Sequence, residues 1–346
     1  PDQVRRIYLV GRIVAVLSVI GTLILLYQIG AKYQSKFTGL VSALGYGVVE
    51  QVFYLGLQTR IHVFLTFFVT LALYYLFAHL QTYKNSYLAY ASMALGIAVG
   101  SGLHAWTAWL LVPLLVSSMS LDAKTKLFRI TLSGTLVLIT FLITNPYVVI
   151  DFSEFTNYWL TAVTPKSYGG YGYVPSLATS FHSVYFILDQ KNISLFQIPF
   201  IAMVVLSVLW AVLAKQRPWR QLGIFVIVIF LIFSLVGKSF GRMTLFALPV
   251  ICILSASLML DIKTSLKKQK FLFWIVLVSI MFPGTALLAG RSYSLLAHEV
   301  DRNWYKESVS CLQSLGIRRE HRIGLYEYPA PNTFPPFPFI GSQLIL

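Results

Sequence analysis

The stretch Ile130–Ile150, ITLSGTLVLITFLITNPYVVI, carries no charge and is followed at once by Asp151-Phe-Ser-Glu154. A helix crossing a bilayer needs about 20 mostly apolar residues. This stretch supplies them before a proline and two carboxylates break the pattern. Pro146 has no amide hydrogen and clashes with the preceding turn, so it predicts the end of the helix or a kink. The carboxylates then lie where the chain reaches the membrane surface. Asp151 and Ser153 suit a helix cap, with Glu154 in the first turn. Phe152, Phe155, Tyr158 and Trp159 have the spacing of an amphipathic helix lying along the interface.

Runs of the same kind recur near 8–29, 38–57, 62–80, 87–103, 105–120, 128–149, 195–214, 222–237, 243–260 and 271–289. They predict an all-α integral membrane protein with about ten transmembrane helices. The fourth and fifth runs read either as one broken helix or as two short spans divided at Ser101-Gly-Leu-His104. Composition agrees: of 346 residues 57% are hydrophobic and 11% charged, where soluble domains average about a quarter charged. The net charge of +15 would suggest nucleic acid in a soluble protein. Here the lysines and arginines sit in short loops, which points to membrane orientation and anionic lipid head groups and excludes nucleic acid. Cys252 and Cys311 form neither a disulfide framework nor a metal-ligand spacing.

Loops 30–37, 81–86, 121–127, 215–221 and 261–270 hold most of the cations and are predicted to be cytoplasmic. Segments 1–7, 58–61, 150–194, 238–242 and the tail then lie outside. Residues 1–290 form the polytopic domain, with its external loop at 150–194, and 291–346 begin an extracytoplasmic C-terminal segment. The chain starts with Pro1, on the outer side, so an earlier span and an external loop are expected to precede it.

An ionisable group within a span costs a few kcal/mol on insertion scales, and each one asks for a reason. Arg12 lies about one turn inside the first run, and Glu50 lies among Gly45, Gly47 and Gly56. Arg60 and His62 open the third run, and His104 stands at the break. Glu50, Arg60, His62 and His104 are candidates for a cavity rim. The loop Pro165-Lys-Ser-Tyr-Gly-Gly-Tyr-Gly-Tyr173 joins one cation to three tyrosines and three glycines. Such loops close over substrates. Its Lys166, Tyr168 and Tyr171, with Asp151 and Glu154, form the candidate substrate loop. Lys238-Ser-Phe-Gly-Arg242 sets two cations on the outer side, against the positive-inside trend. A phosphate-bearing lipid needs such cations, and arginine clamps phosphate through two hydrogen bonds. No metal site, Ser-His-Asp triad or phosphate-cradling glycine loop can be drawn.

Four stretches in order carry a family likeness: Leu9-Val-Gly-Arg-Ile-Val-Ala-Val-Leu17; Phe64–Tyr74 with Tyr87–Gly100; Asn145-Pro-Tyr-Val-Val-Ile-Asp-Phe152; and Arg242-Met-Thr-Leu-Phe-Ala-Leu-Pro249. With these the chain resembles the polytopic GT-C glycosyltransferases, in the protein O-mannosyltransferase-like branch that includes the lipid A aminoarabinose transferases. The resemblance implies sugar transfer from a polyprenyl-phosphate donor to a lipid, glycan or protein acceptor on the outer face of a bacterial or archaeal plasma membrane. It also implies that Lys238 and Arg242 bind the donor phosphate, and that the catalytic acidic residue belongs to an external loop preceding Pro1. No cofactor is implied, and a divalent cation stays open. Rival readings are a transporter or flippase of lipid-linked or anionic solutes, with Glu50, Arg60 and Arg242 lining its path, and an inactive family member acting as an assembly partner.

Overall fold

The computed structural model describes residues 2–49, 52, 55, 56, 61–163, 198–235 and 241–265. All regular structure among them is helical. In order come α1 (Asp2–Tyr33), α2 (Lys36–Gly47), α3 (Ile61–Thr82), α4 (Asn85–Ser101), a 3-10 helix (Leu103–Leu110), α5 (Leu111–Ser117) and α6 (Ala123–Thr144). These are followed by α7 (Tyr147–Ile150), α8 (Phe152–Val163), α9 (Ile198–Leu213), α10 (Arg217–Leu235), a second 3-10 helix (Gly241–Ala247) and α11 (Leu248–Ser265). Helices are the natural outcome for such a sequence, because in hydrocarbon each backbone amide must find its partner within the segment. The hydroxyls follow the same rule: Thr22, Thr66 and Thr70 donate to the carbonyls four residues earlier, at 2.7–2.8 Å.

Four helices among the described residues are long and apolar enough to cross a membrane: Leu9–Tyr33, Ile61–Thr82, Ala123–Thr144 and Thr244–Ser265. Leu103–Ser117 and Ala202–Leu213 are apolar but shorter. The predicted run 271–289 and the tail after Ser265 lie outside the described residues, as do Glu50, Arg60, Lys166, Tyr168, Tyr171 and Lys238.

Side-chain pairs fix how the helices run. Ser92 meets Ser133, and a Cβ at Gly96 or at Gly100 would strike Thr140 or Thr144, so α4 and α6 run parallel. Trp106 stacks edgewise on Phe141 and Trp109 faces Gly134, so the 3-10 helix runs back against α6. The two short runs on either side of Gly102 are therefore opposed segments. Ser207 with Ser255 and Trp210 with Asp261 set α9 parallel to α11. Lys32, Lys36, Lys84, Lys124, Lys126, Lys215 and Lys263 gather at one end of the bundle. Asp122 at that end caps α6, and the Thr125 hydroxyl and amide hold its carboxyl below the usual carboxylate range.

Burial separates central from peripheral helices. The apolar windows of α3 and of Thr244–Ser265 are 61% and 72% buried, against 28% for α1 and 22% for α6, whose outer faces suit lipid. Small residues set the close crossings. A Cβ on Gly30 would meet the backbone of Gly39, and one on Gly96 would lie 2.5 Å from Thr140 Cβ and 2.8 Å from the Val137 oxygen.

The Leu103–Leu110 helix solves a length problem. At about 2.0 Å per 3-10 residue and 1.5 Å per α residue, Leu103–Ser117 extends about 26 Å rather than about 22 Å. That approaches the roughly 30 Å hydrocarbon core. In a 3-10 helix residues three apart eclipse one another. Ala105, Ala108 and Leu111 accordingly form one fully buried column, while Trp106 and Trp109 form another facing α6.

At the cation-rich end, Arg129 is 8% exposed. Its Nη1 donates to His79 Nε2 at 3.2 Å and lies 3.7 Å from Met119 Sδ, and its Nη2 donates to the Tyr83 carbonyl at 3.2 Å. His79 Nδ1 in turn donates to the Lys84 carbonyl at 2.8 Å. A carbonyl can only accept, so the Nδ1–H tautomer is fixed and Nε2 is left free to accept from the guanidinium. This knot holds the α3–α4 turn, where Tyr83 sits at φ 59°. Arg129→Met and His79→Leu are each expected to destabilise by about 1.5–3 kcal/mol. The double variant should cost little more than the worse single one, and thermal unfolding in detergent reads this coupling. Gly96→Ala is expected to cost about 1–3 kcal/mol by overpacking α4 on α6; an unchanged unfolding midpoint would contradict that crossing.

Candidate functional site

Two of the sequence candidates, His62 and His104, come together at the end of the bundle opposite the lysines. His62 stands in the first turn of α3 and is 7% exposed, while His104 opens the 3-10 helix and is half-buried. Their ring centroids are 5.3 Å apart, with the planes tilted by 47°. Local sequence places both. The Gly102 amide is shared between the Ala98 and Val99 carbonyls at 3.1 Å each, which closes α4 and turns the chain. Gly102 is extended, at φ −172°, so the requirement there is for space and not for unusual backbone. A Cβ would lie 2.8 Å from His104 Cε1 and 3.1 Å from Leu65 Cδ1. Thr66 Oγ1 donates to the His62 carbonyl at 2.7 Å and Thr107 Oγ1 to that of His104 at 2.9 Å, which steadies both backbones.

On its other side His104 faces Phe246, with centroids 6.3 Å apart, and Phe246 in turn packs on Phe233 at 6.3 Å. Phe246 and the buried Thr244 belong to the Gly241–Ala247 helix, which packs on α3 and on the Leu103–Leu110 helix. The backbone of Arg242 is in that same helix. At about 2.0 Å per residue it lies about 8 Å from Phe246 along the axis, toward the end of the bundle where α11 begins.

Asp151 and Glu154 occupy the same end but are exposed. Asp151 Oδ1 accepts from the Glu154 amide and from Ser153 Oγ, both at 3.1 Å, so it caps α8. Pro146 follows Asn145, whose amide ends α6 on the Phe141 carbonyl at 2.9 Å. An aromatic chain then runs from Trp106 through Phe141 and Phe155 to Phe152, with centroids 5.7, 6.4 and 6.4 Å apart. It joins the α7–α8 corner to the helix that bears His104. Arg12, on α1, is half-buried. Among the described residues no group of three or more His, Cys, Asp or Glu could hold a metal ion.

Phe246 and Thr244 carry no mark of function in the sequence. Their only signal is their position, four and two residues beyond Arg242. His79 and Arg129 give a weak one, each being a polar residue at the edge of an apolar run.

Residues 8–150 match the family described as dolichyl-phosphate-mannose-protein mannosyltransferase. No curated protein and no solved structure matches the chain. The matched stretch runs from α1 through α7 and includes both histidines and the Gly102 break. Over these residues the chain is similar to that mannosyltransferase family.

Proposed function

We propose that the protein transfers a sugar from a polyprenyl-phosphate-linked donor to a lipid, glycan or protein acceptor on the outer face of the membrane, by inverting displacement. The observation that carries the reading is the packing of the Arg242-bearing helix onto the two elements that present His62 and His104. In such a displacement the acceptor oxygen attacks the anomeric carbon while the phosphate leaves from the other side. Charge therefore grows on the phosphate, and fixed cations beside it are the main source of rate. Arg242 and Lys238 are the donor-phosphate residues. Asp151, Glu154, Lys166, Tyr168 and Tyr171 shape the loop on the substrate side. Glu50, Arg60, His62 and His104 line the rim.

Arg242→Ala is expected to lower transfer from a labelled polyprenyl-phosphate mannose by about 10²–10³-fold; unchanged transfer would remove Arg242 from the phosphate site. Asp151 is separable by the choice of replacement. Serine still caps a helix whereas alanine does not. If Asp151 acts through its cap, Asp151→Ser keeps most of the transfer rate and Asp151→Ala loses it. Equal loss in both variants would assign the carboxylate itself a role toward substrate.

A further inference from the structure

We propose that the groove over α3, between α1 and α4, holds one anionic phospholipid from the leaflet at the lysine-rich end, with its phosphate on Lys32 and an acyl chain along α3. From His62 to His79 twelve residues of α3 are buried, and the six that are not are Phe64, Phe67, Phe68, Leu71, Tyr74 and Tyr75. Their spacing of three and four puts them on one narrow face. Helix α1 closes one edge, where a Cβ at Gly21 would strike Phe67 and Lys32 Nζ lies 5.5 Å from the Tyr74 ring centroid. Helix α4 closes the other, where Tyr87 and Tyr90 meet Tyr75 with centroids 6.3 and 5.4 Å away. The open face is thus a walled strip on a helix that is otherwise core.

The two ends of the strip differ. Phenylalanines occupy the part toward His62 and tyrosines the part toward His79. Phe64 to Tyr75 extends about 17 Å at 1.5 Å per residue, close to half of the roughly 30 Å hydrocarbon core. That length suits the tail of a lipid from one leaflet. Tyrosine rings favour the interface, where one end is apolar and the other wet. There Lys32 is exposed, and its Nζ lies 5.5 Å from the ring centroids of both Tyr33 and Tyr74. The Tyr33 hydroxyl is buried without a hydrogen-bond partner, a cost that a head-group oxygen entering between the rings removes.

The charges at this end select an anion. Helices α3 and α4 carry no acidic residue, and the one on α1, Asp2, is at the opposite end. Among the described residues the acids of the lysine-rich end are Asp122 and Asp261, which are engaged by Thr125 and Trp210. Lys36 and Lys84, gathered there with Lys32, attract anionic head groups to the surface. The apolar run 271–289 has no acid to offer as an occupant, and Lys267, Lys268 and Lys270 just before it would set like charge against Lys32. A phospholipid supplies both the tail and the negative charge. Its phosphate sits at the opposite end of the bundle from His62 and His104, away from the sugar donor.

The test takes the full chain in detergent, freed of lipid, and titrates it with phosphatidylglycerol or phosphatidylcholine while native mass spectrometry counts the lipids bound per chain. One phosphatidylglycerol should bind about tenfold more tightly than phosphatidylcholine, the difference that one charge-assisted contact makes. Lys32→Gln should erase that preference. Lys263→Gln, at the same end but over the Phe37 ring, should keep it. Leu71→Trp fills the middle of the groove and should weaken both lipids; Leu71→Phe replaces it if the larger side chain lowers the unfolding midpoint of the lipid-free protein. Equal binding of the two phospholipids by the parent, or a preference that survives Lys32→Gln, would overturn the site. Unchanged lipid binding in a folded Leu71 variant would do the same, as would a change in oligomeric state alone, which would make the occupant a second copy of the chain. Tighter binding of a short-chain polyprenyl phosphate than of phosphatidylglycerol would give the groove to a different lipid and equally overturn the assignment.

Discussion

In hydrocarbon a backbone amide has no water to turn to, and the structure meets this constraint at its most exposed point, the break at Gly102. The chain neither unwinds there nor continues straight. The Gly102 amide takes two carbonyls of α4, and the next residues tighten at once into the Leu103–Leu110 helix. Everything at the candidate site depends on that turn. It reverses the chain so that His104 faces His62, it provides the hollow that admits the His104 ring, and it sends Trp106 toward Phe141 and the α8 corner.

Much of this can be read in the sequence, and the physical reason is local. Apolar run length predicts helices, Pro146 predicts the end of α6, and Asp151 predicts a cap; each depends on neighbours within a turn. The division at Ser101-Gly-Leu-His104 is local in the same way. What the sequence hides is long-range pairing. His62 and His104, and His104 and Phe246, meet across elements far apart in the chain, and no pattern within either segment encodes its partner. The Arg129 knot is hidden for a further reason. A buried arginine invites a search for a carboxylate, whereas the partners here are an imidazole, a thioether and a carbonyl.

That choice of partners has its own logic. Helix α3 ends close to Arg129, and carbonyls at a helix C-terminus concentrate partial negative charge. The guanidinium is thus met by dipoles that need no desolvated anion. The same carbonyls hold Tyr83 at a positive φ, a conformation that costs of order 1–3 kcal/mol for a residue with a side chain and that the knot maintains. The cation-rich end is therefore tied by fixed dipoles, while the opposite end is left to two histidines and an arginine-bearing helix.

The threefold columns of the Leu103–Leu110 helix set a rule for its evolution. In an α-helix a one-residue insertion rotates the following face by about 100° and a broad apolar stripe partly absorbs it. Here each residue belongs to one of three narrow edges, so one deletion ahead of Trp106 moves Trp106 and Trp109 into the fully buried slots of Ala105 and Ala108. Length variants of this segment should therefore survive only in steps of three. A stretch that seems too short for a membrane helix thus keeps its length by the register of its side chains.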